Sequence, residues 1–279
     1  MKKISRRSFL AAAGLSVAAL ALTACGGSSA STASSVASSA ASSEAASTSA
    51  AAGELTTVEA GKLTMATNAT FPPYEMTTDS GDIEGIDVDT AKAIADKLGL
   101  ELQIDDMDFD AALLSVQQGK ADIAMAGITV TDERKAVMAF SDSYATGIQS
   151  IIVPEGSDIA SPDDLAGKKI GTQRGTTGYI YCTDDFGEDS VVAYDNGLTA
   201  VQALNNGQVD AVVIDNAPAQ EFIAANPGLK ILDTSYAEED YAIGMAKGSS
   251  LEDAVNAALK ELKADGTLQS IVDKYITAE

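Results

Sequence analysis

The chain contains 279 residues with a formal net charge of −23, and it has two cysteines, no histidine and no tryptophan. This length predicts one large domain or two small ones. So acidic a chain argues against nucleic acid and anionic lipid as partners, and two cysteines without histidine argue against a disulfide framework and a zinc site.

Residues 1–24 have the features of a lipoprotein signal peptide. A basic start precedes an apolar run over 9–22 that is too short to span a bilayer comfortably. The sequence Leu22-Thr23-Ala24-Cys25 matches a lipobox, in which the cysteine is lipidated and becomes the mature N-terminus. We therefore expect an exported protein that is anchored to the outer face of the cell membrane only through lipidated Cys25.

Two alternatives at the N-terminus stay open. Residues 5–10 also resemble a twin-arginine signal, so export could follow either the general secretory or the twin-arginine route. A cytoplasmic protein with an apolar N-terminal helix is the second alternative. The remainder of segment 25–60 argues against it, because most of that segment is Ser, Ala, Thr and Gly, which cannot bury enough apolar surface to fold. We expect this segment to be a flexible tether.

From residue 61 onward, short apolar runs alternate with segments of helical periodicity. The pattern predicts strands at 62–67, 100–104, 123–126, 148–153, 168–172, 209–214, 230–232 and 241–245. It predicts helices at 86–98, 107–119, 198–204, 251–262 and 268–275, with Gly99 ending the first. Strand, helix and strand at this spacing imply parallel βαβ units and an α/β fold.

Polar and aromatic residues follow several of these strands directly. In open sheets of this kind, ligands bind beyond the carboxyl ends of the strands. Five candidates share that placement: Asn68, Phe71, Phe109, Gly127 and Thr129. Because all five share this position, a common binding site is a better explanation than five unrelated surface residues.

The segment 126–134 combines several groups that suit a carboxylate. Thr129 and Thr131 supply hydroxyls, Thr131 is expected to cap a short helix, and Arg134 follows one turn later. A guanidinium can hold both oxygens of a carboxylate. The alternative is an ordinary strand–turn–helix with a surface arginine.

Two further loops are candidates for ligand contact. Phe71 and Tyr74 lie on a loop stiffened by two prolines, where they could form a stacking platform or cover the edge of the core. The small-residue loop 173–178 opens a helix and could cradle an anion, although it lacks the Gly-Lys-Ser/Thr ending of a Walker loop.

Seven short motifs together resemble one family. They are Asn68-Ala69-Thr70-Phe71-Pro72-Pro73-Tyr74-Glu75, Gly85-Ile86-Asp87-Val88-Asp89, Met107-Asp108-Phe109-Asp110, the whole of 126–134, Phe140-Ser141-Asp142, Gly175-Thr176-Thr177-Gly178 and the run 209–215. The chain resembles, over nearly all of 61–279, bacterial solute-binding proteins for polar amino acids, which have the type II periplasmic-binding fold and serve ABC importers.

This resemblance implies a two-lobe clamshell in which each lobe is a mostly parallel sheet flanked by helices. The first lobe would hold 61–145 plus 241–279, the second would hold 146–240, and the chain would cross between them at two hinges. Closure of the lobes would capture an amino acid for delivery to an ABC permease. No cofactor, metal or catalytic residue is implied, and the protein is expected to be a monomer.

The resemblance also assigns roles to individual residues. Arg134 would bind the α-carboxylate of the ligand with Thr129 and the N–H groups of Thr176 and Thr177. Asp215 would bind the α-ammonium together with the Gly127 carbonyl and the Thr129 hydroxyl. Phe71 and Phe109 would lie on either side of the ligand side chain, and Asn68, Gln173 and Ile214 would line the far end of the site. Tyr74 and Ile128 complete the predicted ligand-binding residues.

Departures from the family pattern bear on specificity. Members that bind lysine or arginine often have a carboxylate at the position of Asn68. Some glutamine-binding members have lysine at the position of Gln173 and histidine at that of Ile214. We therefore expect an uncharged polar or sulfur-containing amino acid, with basic amino acids as the next candidates.

Two other functions are considered. An enzyme is possible because a few relatives of this fold are dehydratases, but the absence of histidine and the lone remaining Cys182 exclude the usual Ser-His and Cys-His nucleophile systems. A sensor or adhesin would present amino-acid occupancy to a signalling partner, and any signalling would need a separate protein.

Overall fold

The computed structural model describes residues 55–276, which form strands and helices in alternation. The strands are Lys62–Thr67 (β1), Thr70–Phe71 (β2), Glu75–Thr77 (β3), Ile83–Glu84 (β4), Glu101–Asp106 (β5), Ile123–Ala124 (β6), Met138–Phe140 (β7), Ala145–Pro154 (β8), Ile170–Gln173 (β9), Val191–Tyr194 (β10), Ala211–Asp215 (β11), Leu229–Ile231 (β12), Ala237–Tyr241 (β13) and Gly244–Ala246 (β14). The predictions for residues 1–54 lie outside the described residues.

The α-helices lie mostly between these strands. They are Ile86–Leu98 (α1), Phe109–Gln117 (α2), Asp132–Val137 (α3), Thr177–Phe186 (α4), Gly197–Asn205 (α5), Asn216–Ala225 (α6), Glu252–Ala264 (α7) and Thr267–Tyr275 (α8). Short 3₁₀ helices occupy Pro162–Leu165 and Glu188–Ser190. Across 55–276, no helix is both long and apolar enough to cross a membrane.

The first lobe is built on a five-stranded sheet with the order β5-β1-β6-β14-β7. Its first three strands run parallel, whereas β14 is antiparallel to both β6 and β7. Fully buried side chains of β1, such as Leu63 and Met65, pack in a core that includes Ile94 of α1 and Leu259 of α7. A small antiparallel sheet of β2, β3 and β4 lies beside the end of β1.

The second lobe is built on a sheet with the order β10-β9-β11-β8-β12, and β13 pairs with another part of β8. Strand β9 is parallel to β10 and β11, whereas β8 is antiparallel to β11, β12 and β13. Both sheets are therefore mixed, because β14 in the first sheet and β8 in the second run against the strands of the βαβ units. The α/β fold with two lobes is confirmed.

The chain passes between the two sheets twice. It leaves the first sheet after β7, enters β8 of the second, and returns between β13 and β14. The predicted strand over 241–245 is in fact two strands, because Tyr241 pairs with Ala145 in the second sheet and Gly244 pairs with Ala124 in the first. The exact lobe boundaries given above remain a prediction.

Local signals for helix ends agree with the structure. The Thr131 hydroxyl accepts a hydrogen bond from the Arg134 N–H at 3.2 Å, so Thr131 is the N-cap of α3. Gly99 ends α1 in the left-handed conformation, with φ 70°.

Some elements of the structure were not predicted from the sequence pattern. Strand β10, helix α6 and the sheet of β2, β3 and β4 were not predicted. The strand predicted over 209–214 suggested that residues 215–218 form a polar loop. They open α6 instead, and Pro218 is tolerated there because the first turn of a helix does not need its N–H.

Candidate functional site

A cleft between the lobes is lined by residues that follow strands of both sheets. The lining from the first lobe comes after β1 and β6 and from the start of α2 and of α3, and the lining from the second comes from β9, β11 and the start of α4. The residues are Asn68, Phe71, Glu75, Phe109, Ala126, Gly127, Thr129, Arg134, Gln173, Thr176, Thr177 and Asp215. Ten of the thirteen predicted ligand-binding residues therefore lie around one cleft.

The two lobes are closed on each other in this structure. The Gln173 side chain donates a hydrogen bond from Nε2 to Asn68 Oδ1 at 2.9 Å, and Arg134 Nη2 donates to the Gly175 carbonyl at 3.1 Å. Each bond joins a residue of the first lobe to a residue of the second. The site is therefore in the geometry that would surround a ligand.

Arg134 is held at one end of the cleft with 8% of its surface exposed. Its Nη1 donates to the Thr129 carbonyl at 2.7 Å, and its Cζ lies 5.3 Å from the centre of the Phe109 ring. Burial lowers the pKa of Arg134, but a guanidinium remains protonated in proteins. Two of its five N–H donors bond to the protein in the described residues, which leaves others for a carboxylate.

Asp215 ends β11 and lies at the wall of the same cleft with 7% of its surface exposed. The Tyr241 hydroxyl donates to Asp215 Oδ1, and Gln149 Nε2 donates to Oδ2 at 2.8 Å. Burial raises the pKa of Asp215 to about 7. A cationic ligand group beside this carboxylate would lower that pKa again.

Hydroxyl groups and the N-terminus of α4 line the same cleft as these two charges. Thr176 is the N-cap of α4, and Thr177 is its first residue. Gly175 has φ +74°, and a Cβ there would overlap the Asp110 carboxylate of the facing lobe. A larger residue at this position would strain the backbone and would have to displace the Asp110 carboxylate while the lobes are closed.

Two aromatic rings line the cleft, as predicted. Phe71 lies against Gly127, where an added Cβ would come within 2.7 Å of Phe71 Cε1. Phe109 is the first residue of α2, and the Arg134 guanidinium lies over its ring. These rings provide the apolar part of the wall.

Two amides lie together at another part of the wall. Asn68 Nδ2 donates to the Met107 carbonyl at 2.9 Å, and Asn68 Oδ1 accepts from Thr70 and Gln173. No charged side chain takes part in this arrangement in the described structure. This part of the cleft can donate and accept hydrogen bonds without adding charge.

Three predicted site residues do not line the cleft, because their side chains pack into the core. Tyr74 stacks behind Phe71 with ring centres 5.9 Å apart and meets Tyr241 edge-on at 5.2 Å. Ile128 is fully buried. Ile214 precedes Asp215 on β11, and since strand side chains alternate, it points away from the cleft and packs towards Gly197.

Residues that the sequence did not single out as ligand-binding also contribute. Glu75 and Ala126 line the cleft, and Glu75 follows directly on the aromatic loop that was singled out. Burial and the nearby charge of Asp87 raise the pKa of Glu75 well above its usual range. Asp87 is itself fully buried and accepts hydrogen bonds from the Gly127 N–H at 3.0 Å and the Tyr144 hydroxyl at 2.8 Å.

Glu239 was missed as well, although a signal for its burial was present. Alternation along β13 places Glu239 on the same face as the buried Tyr241, while the charges between and before them face solvent. The strand assignment was needed before this alternation could be interpreted. Among residues 55–276, no cluster of three or more metal-ligating side chains could hold a metal ion.

The sequence matches the family model described as bacterial extracellular solute-binding proteins, family 3, over residues 63–278. A probable histidine-binding protein of Neisseria gonorrhoeae is 32% identical over 276 residues, covering 96% of this chain and 95% of the relative. The L-cystine-binding protein TcyJ of Escherichia coli (strain K12) is 31% identical, covering 79% of this chain and 85% of the relative.

A solved structure resembles the whole folded part. An ancestral arginine-binding protein bound to glutamine superposes with a TM-score of 0.75 at 42% identity, covering 78% of this chain and 99% of that structure. The likeness extends across both lobes and the cleft between them.

Proposed function

Because this chain belongs to the bacterial extracellular solute-binding proteins of family 3, we propose that its cleft binds a free amino acid between Arg134 and Asp215. Its relatives are amino-acid-binding proteins of ABC transporters. The chain is accordingly the exported substrate-binding component of an amino acid ABC importer, and it is not an enzyme.

One observation carries the proposed binding mode: a buried guanidinium and a buried carboxylate line a single cleft. An amino acid at neutral pH carries one negative and one positive group a few ångströms apart. Arg134 is proposed to bind the α-carboxylate, with N–H groups at the start of α4. Asp215 is proposed to bind the α-ammonium, with the Gly127 carbonyl and the Thr129 hydroxyl.

Closure strengthens both contacts. Each charge-assisted hydrogen bond stabilises by roughly 1.5–3 kcal/mol net. Excluding water from the cleft lowers the effective dielectric and increases the attraction. Because the two charged residues belong to different lobes, a ligand that bridges them favours the closed form, which is the form presented to the permease.

The amino acid proposed for this site is uncharged and polar or contains sulfur. Its side chain would lie between Phe71 and Phe109 and would reach the amides of Asn68 and Gln173, which supply hydrogen bonds without charge. Relatives named for cystine and bound to glutamine are consistent with this choice.

Basic amino acids are the second candidate, and Glu75 is the observation that favours them. Glu75 is one of the residues around the cleft, and its buried carboxyl group would be the counter-charge for a cationic side chain. The relative of 42% identity is named for arginine although it is bound to glutamine. Burial and the nearby charge of Asp87 raise the pKa of Glu75, which favours its neutral form and weakens this alternative.

Isothermal titration calorimetry with the individual amino acids tests the proposal. We expect glutamine, asparagine or cystine to bind more tightly than arginine or lysine, and Arg134→Ala to weaken binding by about 100-fold or more. Arg174→Ala is the matched control, since the Arg174 side chain is exposed and its ion pair with Asp195 is long, at 3.9 Å. Tighter binding of arginine would overturn the substrate choice, and unchanged affinity in Arg134→Ala would overturn the binding mode.

A further inference from the structure

Glu239 lies behind the cleft wall, where it accepts hydrogen bonds from residues of both lobes. It is 6% exposed and sits in β13. Its Oε2 accepts from Thr129 Oγ1, Thr177 Oγ1 and Gln149 Nε2, each at 3.0 Å. Glu239 itself does not line the cleft, whereas both threonines do.

The donors to this one oxygen come from different parts of the fold. Thr129 follows β6 of the first lobe, Thr177 opens α4 of the second, and Gln149 lies in β8. The same Gln149 Nε2 also donates to Asp215 Oδ2 at 2.8 Å. Glu239 is therefore connected to the carboxylate of the cleft through a single amide group.

The direction of the threonine protons follows from the acceptor. A hydroxyl has one proton to donate and two lone pairs that accept. If the proton of Thr129 points to a buried carboxylate, its lone pairs are left for the cleft. Thr177 also donates its proton to Glu239, and of its two lone pairs one accepts from Gln149 Nε2 at 3.5 Å and the other is left for the cleft. The two hydroxyl oxygens lie 3.4 Å apart, so both can contact one small group.

We propose that Glu239 is a positioning residue that turns the hydroxyls of Thr129 and Thr177 into acceptors for the ammonium group of the ligand. This inference rests on the proposed binding of an amino acid in the cleft. An ammonium group has only donors, so it needs acceptors from several directions. Asp215 provides one set, and the oriented hydroxyls provide the other.

The same bonds link Glu239 to closure. Since Thr129 and Thr177 belong to opposite lobes, both can reach Oε2 only when the cleft is shut. Arg134 also lies close enough to interact electrostatically with Glu239. Glu239 is thus expected to act in the closed, ligand-bound form and to matter little for the fold of the open form.

The test compares Glu239→Ala and Glu239→Gln with Glu238→Gln, a control on the exposed side of the same strand. Calorimetry measures affinity for the best amino acid of the wild-type protein and for the analogue that has a hydroxyl in place of the α-ammonium. We expect Glu239→Ala to weaken amino-acid binding by about 10–100-fold, Glu239→Gln to restore part of it, and the control to match the wild type.

The ratio of the two affinities separates positioning from a structural role. Loss of acceptors for the ammonium should reduce binding of the amino acid more than binding of the hydroxy analogue, so the ratio should fall in Glu239→Ala. A merely structural defect lowers both affinities equally. An unchanged ratio, or wild-type affinity in Glu239→Ala, would overturn the proposal.

A double-mutant cycle with Thr129→Val gives a second measurement. If Glu239 acts through Thr129, the double variant should bind only slightly less tightly than Thr129→Val alone. Fully additive losses would contradict the inference, and the cycle can be run with Glu239→Gln if Glu239→Ala does not fold. Failure of the wild-type protein to bind any amino acid would instead refute the proposed function.

Discussion

Asp215 is the residue whose charge state should respond most directly to pH in the range where the protein works. Burial raises its pKa to about 7 in the closed structure, well above the value of about 3.9 in an unfolded chain. The proton is therefore held more tightly in the folded, ligand-free protein. An ammonium ligand favours the ionised carboxylate, so binding below pH 7 must release this proton.

Two pH effects of opposite sign follow. Affinity for the amino acid should fall by up to about tenfold per pH unit below pH 7, because a proton competes with the ligand. The stability that Asp215 contributes to the closed, ligand-free protein is full below pH 4 and is lost as pH rises through 7. Asp87 acts in the same direction, since burial raises its pKa to about 6.

Calorimetry between pH 5 and pH 8 measures the first effect, and Asp215→Asn supplies the control. The asparagine cannot ionise, so its weaker binding should lose most of the slope below pH 7. Asp195→Asn changes an exposed aspartate and should keep the wild-type slope. Equal slopes in wild type and Asp215→Asn would show that another group governs the pH dependence.

Single residues also mark the limit of what the sequence could predict about the site. Thr131, the N-cap of α3, and Arg134 within that helix are three residues apart, so the local sequence pattern was enough to predict both. Glu239 is 110 residues from Thr129 and 62 from Thr177. No local pattern encodes such contacts, and they become visible only when both lobes are folded.

Among the elements, the loop that opens α4 is the one on which closure depends most. Gly175 turns into the helix with φ +74°, and a Cβ there would overlap the Asp110 carboxylate of the other lobe. Gly175→Ala should therefore weaken amino-acid binding, by up to about tenfold, because the Asp110 side chain must move aside before the lobes can close.

Gly167→Ala is a matched control for the strain in the backbone. Gly167 has a similar φ of +78°, but a Cβ there would meet nothing within 4 Å. Both variants should lower the melting temperature of the ligand-free protein by similar amounts, and only Gly175→Ala should impair binding. Equal affinities in calorimetry would mean that the close approach of Gly175 and Asp110 is not needed for binding.

The elements also show why some predictions succeeded and others did not. The first strand was predicted at its exact bounds, and α1 was predicted with its C-cap, since an apolar face and a terminal glycine are local signals. The apolar run over 241–245 gave no indication that the chain changes sheets within it. Which partner a strand pairs with is a tertiary property, and an uninterrupted apolar run does not contain it.

At the scale of the whole molecule, we expect the N-terminal segment to determine where the protein is held. We propose that Cys25 carries the lipid anchor, on the evidence of the lipobox in the sequence. The full-length protein expressed in a bacterium should fractionate with membranes, and Cys25→Ser should release it or leave it unprocessed. Cys182→Ser is the control, because Cys182 is fully buried in the second lobe. Soluble wild-type protein would remove the anchor from the proposal.

Hydrogen bonds join the two lobes around the cleft, so a ligand bound between them should raise the thermal stability of the folded protein. A ligand that binds only the folded state stabilises it by about 2.7 kcal/mol at 100 times its dissociation constant. For a folded part of this size, about 1 kcal/mol corresponds to roughly 2–4 °C, so the melting temperature should rise by about 5–11 °C. The rise should continue with the logarithm of ligand concentration, since mass action does not saturate.

Arg134→Ala at the same concentrations should show a much smaller shift in melting temperature, because it lacks the guanidinium that is proposed to hold the α-carboxylate. An equal shift in that variant would place the stabilising site outside the cleft.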